Sequence, residues 1–219
     1  MNKYTVDEAR KIAMECAKIY ENNLLNKKFE IIYRDRMDNK IKDIEICFGK
    51  ENYQHLTGIE LVDEEGKVRK HVAELFYDKC VHNRLSKREI KFKDDGTTNL
   101  KLAALPVMMD IHKVTKITGD YNGIRPYLIA DKVVGNINFC LGLKLDGKRD
   151  YYVPASSLLH NIKELTVEPS QVLAILSKDK GEIKYRRVRH VAKGINLLNV
   201  NLPQEIQDKI SLVQYIPKS

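Results

Sequence analysis

The N-terminal part of the chain has apolar residues at helical spacing, followed by two strand-like runs. Thr5 and Glu8 form a capping box, whose side chains can satisfy the first free amides of a helix, so a helix is expected to begin there. The runs 29–34 and 41–48 are rich in apolar and aromatic residues, with turn residues Asp38-Asn39 between them. This order predicts a helix and then a β-hairpin. The apolar face of the helix is given by Ala9, Ile12, Ala13, Cys16, Ile19, Tyr20 and Leu24.

Two more helices are predicted before residue 115. The segment 72–85 is amphipathic and carries Leu75, Phe76 and Cys80 on its expected core side. The segment 94–98 resembles a turn that leads into a helix cap. The apolar segment 100–112 then predicts a helix that Pro106 should end or kink, because proline removes a backbone donor.

From Thr115 onward the period changes to short strand-like runs separated by glycine and proline. A last helix is predicted from Pro203 to Ile210, since proline is tolerated in a first helical turn. Helices first and strands afterwards indicate an α+β fold, with N-terminal helices packed on a C-terminal, mostly antiparallel sheet. We expect a single domain over residues 1–219. The predicted strands are 115–118, 127–134, 136–143, 151–153, 172–177 and 185–191.

Composition adds a preference for acidic partners. The chain has 43% hydrophobic and 31% charged residues, a formal charge of +8 and a pI near 9.1, which favours a polyanion such as nucleic acid. The four cysteines are scattered singly and indicate a reducing compartment. The polar N-terminus lacks a signal-peptide pattern and no run of 18 apolar residues occurs, so a cytoplasmic protein without a membrane span is expected.

Several common catalytic motifs do not occur in the sequence. It has no P-loop, no dinucleotide-binding glycine motif, no zincin motif and no nucleophile elbow. It also has no compact carboxylate cluster that would call for magnesium. No metal and no cofactor are therefore predicted.

The string from Tyr53 to Ile59 is a candidate phosphate-chemistry site. His55 could transfer protons near neutral pH, Thr57 could bind a phosphate oxygen, and Gly58 would let the backbone approach a ligand. A simple turn, in which His55 bonds to backbone and Gly58 supplies an unusual dihedral, explains the same string.

Two further segments could contact RNA. Residues 151–157 end a tyrosine-rich strand and offer Tyr152 and Ser157, although serine there is equally suited to cap a helix. In the basic stretch 178–190, alternation would place Tyr185, Arg187 and Arg189 on one strand face as an aromatic and guanidinium track. A solvated edge strand is the alternative.

Asn136 and Asn138 are expected on one face of an apolar strand. Amides in a sheet need hydrogen-bond partners, so they could recognise a base edge or hold a loop on the sheet. The pattern does not choose between these two roles.

An ordered series of motifs along the chain resembles the fourth phage-associated family of the barnase, EndoU, colicin and RelE (BECR) nuclease superfamily. The similarity spans roughly residues 20–193 and leaves 194–219 as a C-terminal tail. The order of unlinked motifs is more specific than any one of them. The motifs are Phe29–Arg34, His55–Gly58, Asp95–Thr98, Gly119–Asn122, Gly135–Asn138, Tyr151–Pro154 and Leu173–Lys178.

This resemblance implies an antiparallel sheet of four or five strands that cradles RNA. It also implies metal-independent cleavage, in which the 2'-hydroxyl attacks the adjacent phosphate to leave a cyclic phosphate and a 5'-hydroxyl. Such a site needs a proton acceptor, a proton donor and cations. By motif position, His55 is the general acid/base and Thr57 positions phosphate. Tyr152 and Ser157 are donors, and Lys178 stabilises charge.

The resemblance leaves the general base open, because no glutamate matches that role. Either His55 acts as base and as acid in turn, or the site has no general base. RNA is the expected partner, and a toxin or defence effector silenced by a cognate immunity protein is compatible with this function. The alternative from another class is a non-catalytic RNA- or protein-binding module on a nuclease-like scaffold.

Overall fold

The fold combines six helices with two β-sheets in the part of the chain that the structure, a computed structural model, describes: residues 4–125 and 128–217. The helices are α1 (Val6–Asn23), α2 (Lys50–Thr57), α3 (Ala73–Val81), α4 (Thr97–Met108), α5 (Ile111–Val114) and α6 (Gln204–Lys209). The strands are β1 (Lys27–Arg34), β2 (Ile41–Cys47), β3 (Ile59–Leu61), β4 (Ile90–Phe92), β5 (Ile117–Asp120), β6 (Lys132–Gly135), β7 (Cys140–Leu145), β8 (Tyr152–Leu158), β9 (Ser170–Asp179) and β10 (Arg187–Val191).

The N-terminal helix and hairpin are confirmed. The Thr5 amide donates to Glu8 Oε2 (2.8 Å) and the Glu8 amide donates to Thr5 Oγ1 (3.2 Å), which completes the capping box. The strands β1 and β2 then pair antiparallel along their whole length, with Phe29 opposite Ile46. Short-range sequence signals therefore specify the first 48 residues.

The larger sheet has the order β1-β2-β8-β7-β6-β5-β9-β10, and β1 also pairs with β9. These pairings close seven strands into a ring that β10 extends. The ring is antiparallel except where Ile46 of β2 meets Tyr152 of β8. The α+β class and the mostly antiparallel sheet are confirmed, although the sheet has more strands than the resemblance implied and includes the N-terminal hairpin.

The main core lies between the helices and one face of the sheet. It includes Tyr20 of α1, Tyr53 of α2 and Tyr77 of α3, whose rings lie 5.0–6.0 Å apart, and Phe29 and Ile31 of β1. Both α2 and α4 contact β8. This packing fixes the end of α2 against the start of α4, where the first candidate site lies.

The C-terminal segment covers the other face of β1 and β9. Its apolar residues Leu197, Leu202, Ile206 and Ile210 pack with Ile32, Leu176 and Tyr185, among others, in a second core. The helix α6 begins one residue after Pro203, as the sequence predicts. Residues beyond the family-like region are therefore built into the fold.

Some predicted elements differ from the observed ones. Leu75 of α3 is 39% exposed, whereas Phe76 and Cys80 are buried as expected. The predicted helix 100–112 is divided into α4, which contains Pro106 in its last turn, and α5. The predicted strand from 136 begins only at Cys140. In the predicted strand 127–134, Tyr127 lies outside the described residues. No helix within the described ranges is long and apolar enough to cross a membrane.

Candidate nuclease site

Two sequence motifs that are far apart in the chain meet where α2 ends and α4 begins. Gly58 ends α2 in the left-handed conformation (φ 68°), and its carbonyl accepts a hydrogen bond from Thr98 Oγ1 (2.7 Å). Lys101 of α4 donates from Nζ to the carbonyl of His55 (2.6 Å). We call His55, Thr57, Gly58, Thr98 and Lys101 the α2–α4 junction.

The charges at the α2–α4 junction suit proton transfer. Burial, together with the positive charges of Lys101 and Lys93, lowers the pKa of His55, although the side chain remains exposed. Burial and Lys93 lower the pKa of Lys101 to about 8. A neutral imidazole therefore lies beside an ammonium group that can give up its proton near physiological pH.

Thr57 has a structural role in the described contacts. Thr57 is fully buried. Its hydroxyl donates to the Gln54 carbonyl (2.8 Å) and accepts from the Ile59 amide (3.1 Å). This hydroxyl stabilises the end of α2 and has no donor left for a phosphate.

Tyr152 and Ser157 both lie on β8, which excludes the alternative that the serine caps a helix. The pKa of Tyr152 is raised by burial and by nearby carboxylates, Asp120 first among them. Ser157 is 2% exposed, and its buried Oγ has no hydrogen-bond partner within residues 4–125 and 128–217. No hydrogen bond, ion pair or resolved charge interaction among the described residues links either residue to His55.

Lys178 belongs to a different network on β9. Its Nζ lies 3.9 Å from Glu45 Oε2 and 4.2 Å from the ring centre of Tyr185. Tyr185 is fully buried in the second core and its hydroxyl donates to Glu45. The prediction of Tyr185 as an accessible stacking platform is therefore wrong, because the C-terminal segment covers it.

The two arginines of the predicted track, Arg187 and Arg189, have different kinds of partner. Arg187 pairs with Asp179 (2.7 Å) and Glu182 (2.6 Å), whereas Arg189 donates from Nε to Ser177 Oγ (2.7 Å). A β-bulge between Val188 and His190 shifts the alternation. His190 therefore pairs with Ile175 and lies on the same face of β10 as Arg187, whereas simple alternation placed it on the opposite face.

Asn136 holds a loop between β6 and β7. Its Oδ1 accepts from the amides of Asn138 (2.8 Å) and Phe139 (3.2 Å), and its Nδ2 donates to the Val114 carbonyl (3.2 Å). Of the two roles left open for this amide, the loop contact is the one that the structure contains.

Sequence reasoning missed the residues that accompany His55. Lys101 follows the Asp95–Thr98 motif by three residues, so its place at the start of the second turn of a helix that begins at that motif was the available signal. Lys93 carried no such signal, because its neighbour His55 comes from a distant segment.

The sequence matches the family described as phage-Barnase-EndoU-ColicinE5/D-RelE like nuclease4 (PBECR4) over residues 12–194. The chain belongs to this family. The match confirms the resemblance seen in the motifs and indicates nuclease activity for a PBECR4 protein. No curated protein and no solved structure showed a significant match to this PBECR4 chain.

Proposed function

We propose that this PBECR4 protein is a metal-independent endoribonuclease with its active centre at the α2–α4 junction. The observation that carries the proposal is that His55 lies beside Lys101 and Lys93 in a chain of a nuclease-like family. A base, an acid and a fixed cation are the minimum for transesterification of RNA.

The roles follow from the protonation states. Neutral His55 accepts the proton of the ribose 2'-hydroxyl, whose oxygen attacks the adjacent phosphorus. The bond from phosphorus to the 5'-oxygen breaks, and Lys101 donates its proton to that leaving oxygen. Lys93 adds positive charge against the extra negative charge of the transition state. The products are a 2',3'-cyclic phosphate and a 5'-hydroxyl.

This assignment replaces part of the set implied by the resemblance. Lys93 takes the charge-stabilising role that motif position gave to Lys178, whose contacts are with Glu45 and Tyr185, and Lys101 adds a proton donor. Thr57 shapes the helix end instead of binding phosphate, and no hydrogen bond or ion pair among the described residues links Tyr152 or Ser157 to the junction.

The proposed biological setting is a phage-linked toxin or defence effector in the cytoplasm. RNA is the substrate, and a cognate immunity protein would silence the enzyme in the cell that makes it. Expression of the protein should arrest growth, and His55→Ala should relieve the arrest. Equal arrest by both proteins would remove His55 from the toxic activity.

Cleavage of RNA in the presence of a chelator tests the proposed function. His55→Ala should lower the rate about 10²–10⁴-fold, the usual contribution of general acid–base catalysis. His71→Asn is the matched control, because His71 is an exposed histidine with φ 55° that asparagine tolerates. Circular dichroism verifies that both variants fold.

The pH profile supplies a second readout. Activity should rise with pH as His55 loses its proton, and fall above about pH 8 as Lys101 loses its own. Lys101→Arg should remove the alkaline fall and lower the maximal rate, because arginine stays protonated and is therefore a poor proton donor. Salt-sensitive RNA binding without any turnover would instead support the non-catalytic binding module.

A further inference from the structure

Positive side chains gather on a second surface, where α5 faces β10. Arg189 lies close enough to His112 of α5 and to Lys27 of β1 for its charge to lower the pKa of both. Next to them, Lys116 Nζ lies 3.2 Å from both ring nitrogens of His190. We call His112, Lys116, Arg189, His190 and Lys27 the α5–β10 cluster.

The guanidinium group of Arg189 is positioned by a hydrogen bond and forms no ion pair among the described residues, although the charge of Asp179 acts on it. Its Nε donates to the buried Ser177 hydroxyl, and the described residues provide no hydrogen bond to its two terminal nitrogens. Arg187, by contrast, is neutralised by Asp179 and Glu182. Arg189 therefore keeps two parallel donors that match two oxygens of a phosphate.

His112 is the second independent sign of a missing ligand. The side chain is 5% exposed, its ring packs on Phe29 (5.6 Å between centres), and its Nδ1 is buried with no hydrogen-bond partner among the described residues. Burial and the charges of Arg189, Lys113 and Lys27 outweigh that of Asp110 and lower its pKa to about 4.

Among the described residues, Arg189, Lys27 and Lys116 form no ion pair. Asp110 is engaged by Lys113 (2.7 Å), and Asp179 is engaged by Arg187. Like charges held close together repel one another, and a bound anion would offset this repulsion.

We propose that the α5–β10 cluster is a phosphate-binding site that holds a backbone phosphate of the nucleic acid away from the cleaved bond. Arg189 is its principal ligand, Ser177 is the positioning residue, and Lys27 and Lys116 add charge. The identity of the natural ligand rests on the proposed function, whereas phosphate binding itself does not.

Binding to the full-length protein is measured by calorimetry with two probes. Inorganic phosphate tests the site alone, and a short single-stranded DNA, which lacks the 2'-hydroxyl and cannot be cleaved by the proposed reaction, tests the backbone. Arg189→Gln should weaken binding of both probes roughly 10- to 100-fold, as expected for loss of charge-assisted hydrogen bonds. Arg186→Gln, an exposed arginine in the same segment, is the control of equal charge change and should have little effect.

The pKa of His112, measured by nuclear magnetic resonance, distinguishes a specific phosphate site from general charge attraction. Phosphate should raise the pKa of His112 from its low value, because a bound anion favours the imidazolium form. Two results would contradict the proposed site. One is an equal loss of binding affinity in Arg189→Gln and Arg186→Gln, and the other is a pKa of His112 that phosphate does not change.

The two proposals fail in different ways. A protein that binds phosphate through Arg189 but cuts no RNA keeps the α5–β10 cluster and loses the proposed function. A protein that cuts RNA with an unchanged KM in Arg189→Gln keeps the α2–α4 junction as active centre and loses the phosphate site.

Discussion

Glu30 is a buried carboxyl group whose neighbours do not fully offset the cost of burying its charge. It is 0% exposed on β1, near Asp43, and Lys209 Nζ lies 3.4 Å from its Oε1. Burial and the neighbouring carboxylate outweigh Lys209 and raise the pKa of Glu30 to about 9. The folded protein therefore carries a proton on Glu30 at neutral pH.

This proton gives a prediction about stability and pH. The unfolded chain releases it near pH 4.5, so the contribution of Glu30 is fully present below that pH and is lost as pH rises toward 9. The loss amounts to about 1.4 kcal/mol per pH unit at most. Glu30→Gln, which cannot ionise, should flatten this decline in urea unfolding at pH 5 and 8. Glu64→Gln is the exposed control, and parallel declines in wild type and Glu30→Gln would contradict the prediction.

Single residues were predictable only where their neighbours are close in sequence. The left-handed backbone of Gly58 is local, and the motif string predicted it as the unusual dihedral of a turn. The helix α2, which contains His55 and Thr57, was not predicted. Tyr185 has the same surface-strand pattern as Arg187 and Arg189, yet it is buried because Ile206 and Ile210 pack on it. That burial depends on residues more than twenty positions away, and alternation carries no information about them.

At the scale of elements, caps, turns and the helix interruption near Pro106 were predictable, whereas the β-bulge was not. The capping box gave the start of α1, and the turn residues gave the hairpin of β1 and β2. Pro106 predicted an end or kink, and α4 ends two residues after it. The end of α4 and the β-bulge at Arg189 both place residues of the α5–β10 cluster. Their positions follow from pairing with β9 and packing on β10, which are long-range contacts.

The contact between α2 and α4 predicts the effect of a single methyl group. A Cβ added at Gly58 would lie 3.0 Å from Lys101 Cδ and 3.1 Å from Thr98 Cα, in addition to the strain of φ 68°. Gly58→Ala should therefore cost more than the roughly 1–2 kcal/mol of a left-handed backbone, and should lower RNA cleavage by displacing Lys101.

The variant Gly66→Ala separates the cost of the left-handed backbone from the cost of the steric contact with α4. Gly66 has φ 79° and would bring its Cβ within 4 Å of no other atom, so this variant carries the backbone strain alone. Urea unfolding and RNA cleavage are measured for both variants. If Gly58→Ala and Gly66→Ala lose the same stability and both keep their cleavage rate, α2 and α4 can move apart to accommodate the added methyl group, which would contradict the prediction.

On the scale of the whole molecule, the closed sheet joins segments that the sequence order keeps apart. The first strand pairs with β9, and the C-terminal segment then covers that pair on the face opposite the helices. Leu197, Leu202, Ile206 and Ile210 of the predicted tail 194–219 belong to a core, while a single domain over residues 1–219 stays a prediction. The net charge of +8 agrees with the two basic surfaces, but only the fold assigns lysines and arginines to them.

Replacement of Ile206 tests whether the C-terminal segment belongs to the cooperative fold. Ile206 is 0% exposed in the second core, so Ile206→Ala should lower the free energy of unfolding by about 2–5 kcal/mol, the cost of a cavity at a buried position. Ile216→Ala is the matched control, because Ile216 is 83% exposed and should change stability little. If the segment only rests on a fold that is stable without it, the loss for Ile206→Ala will appear as a separate early transition. If it closes the core over Tyr185, urea unfolding will remain a single transition that moves as a whole, because the sheet cannot lose this cover and stay folded.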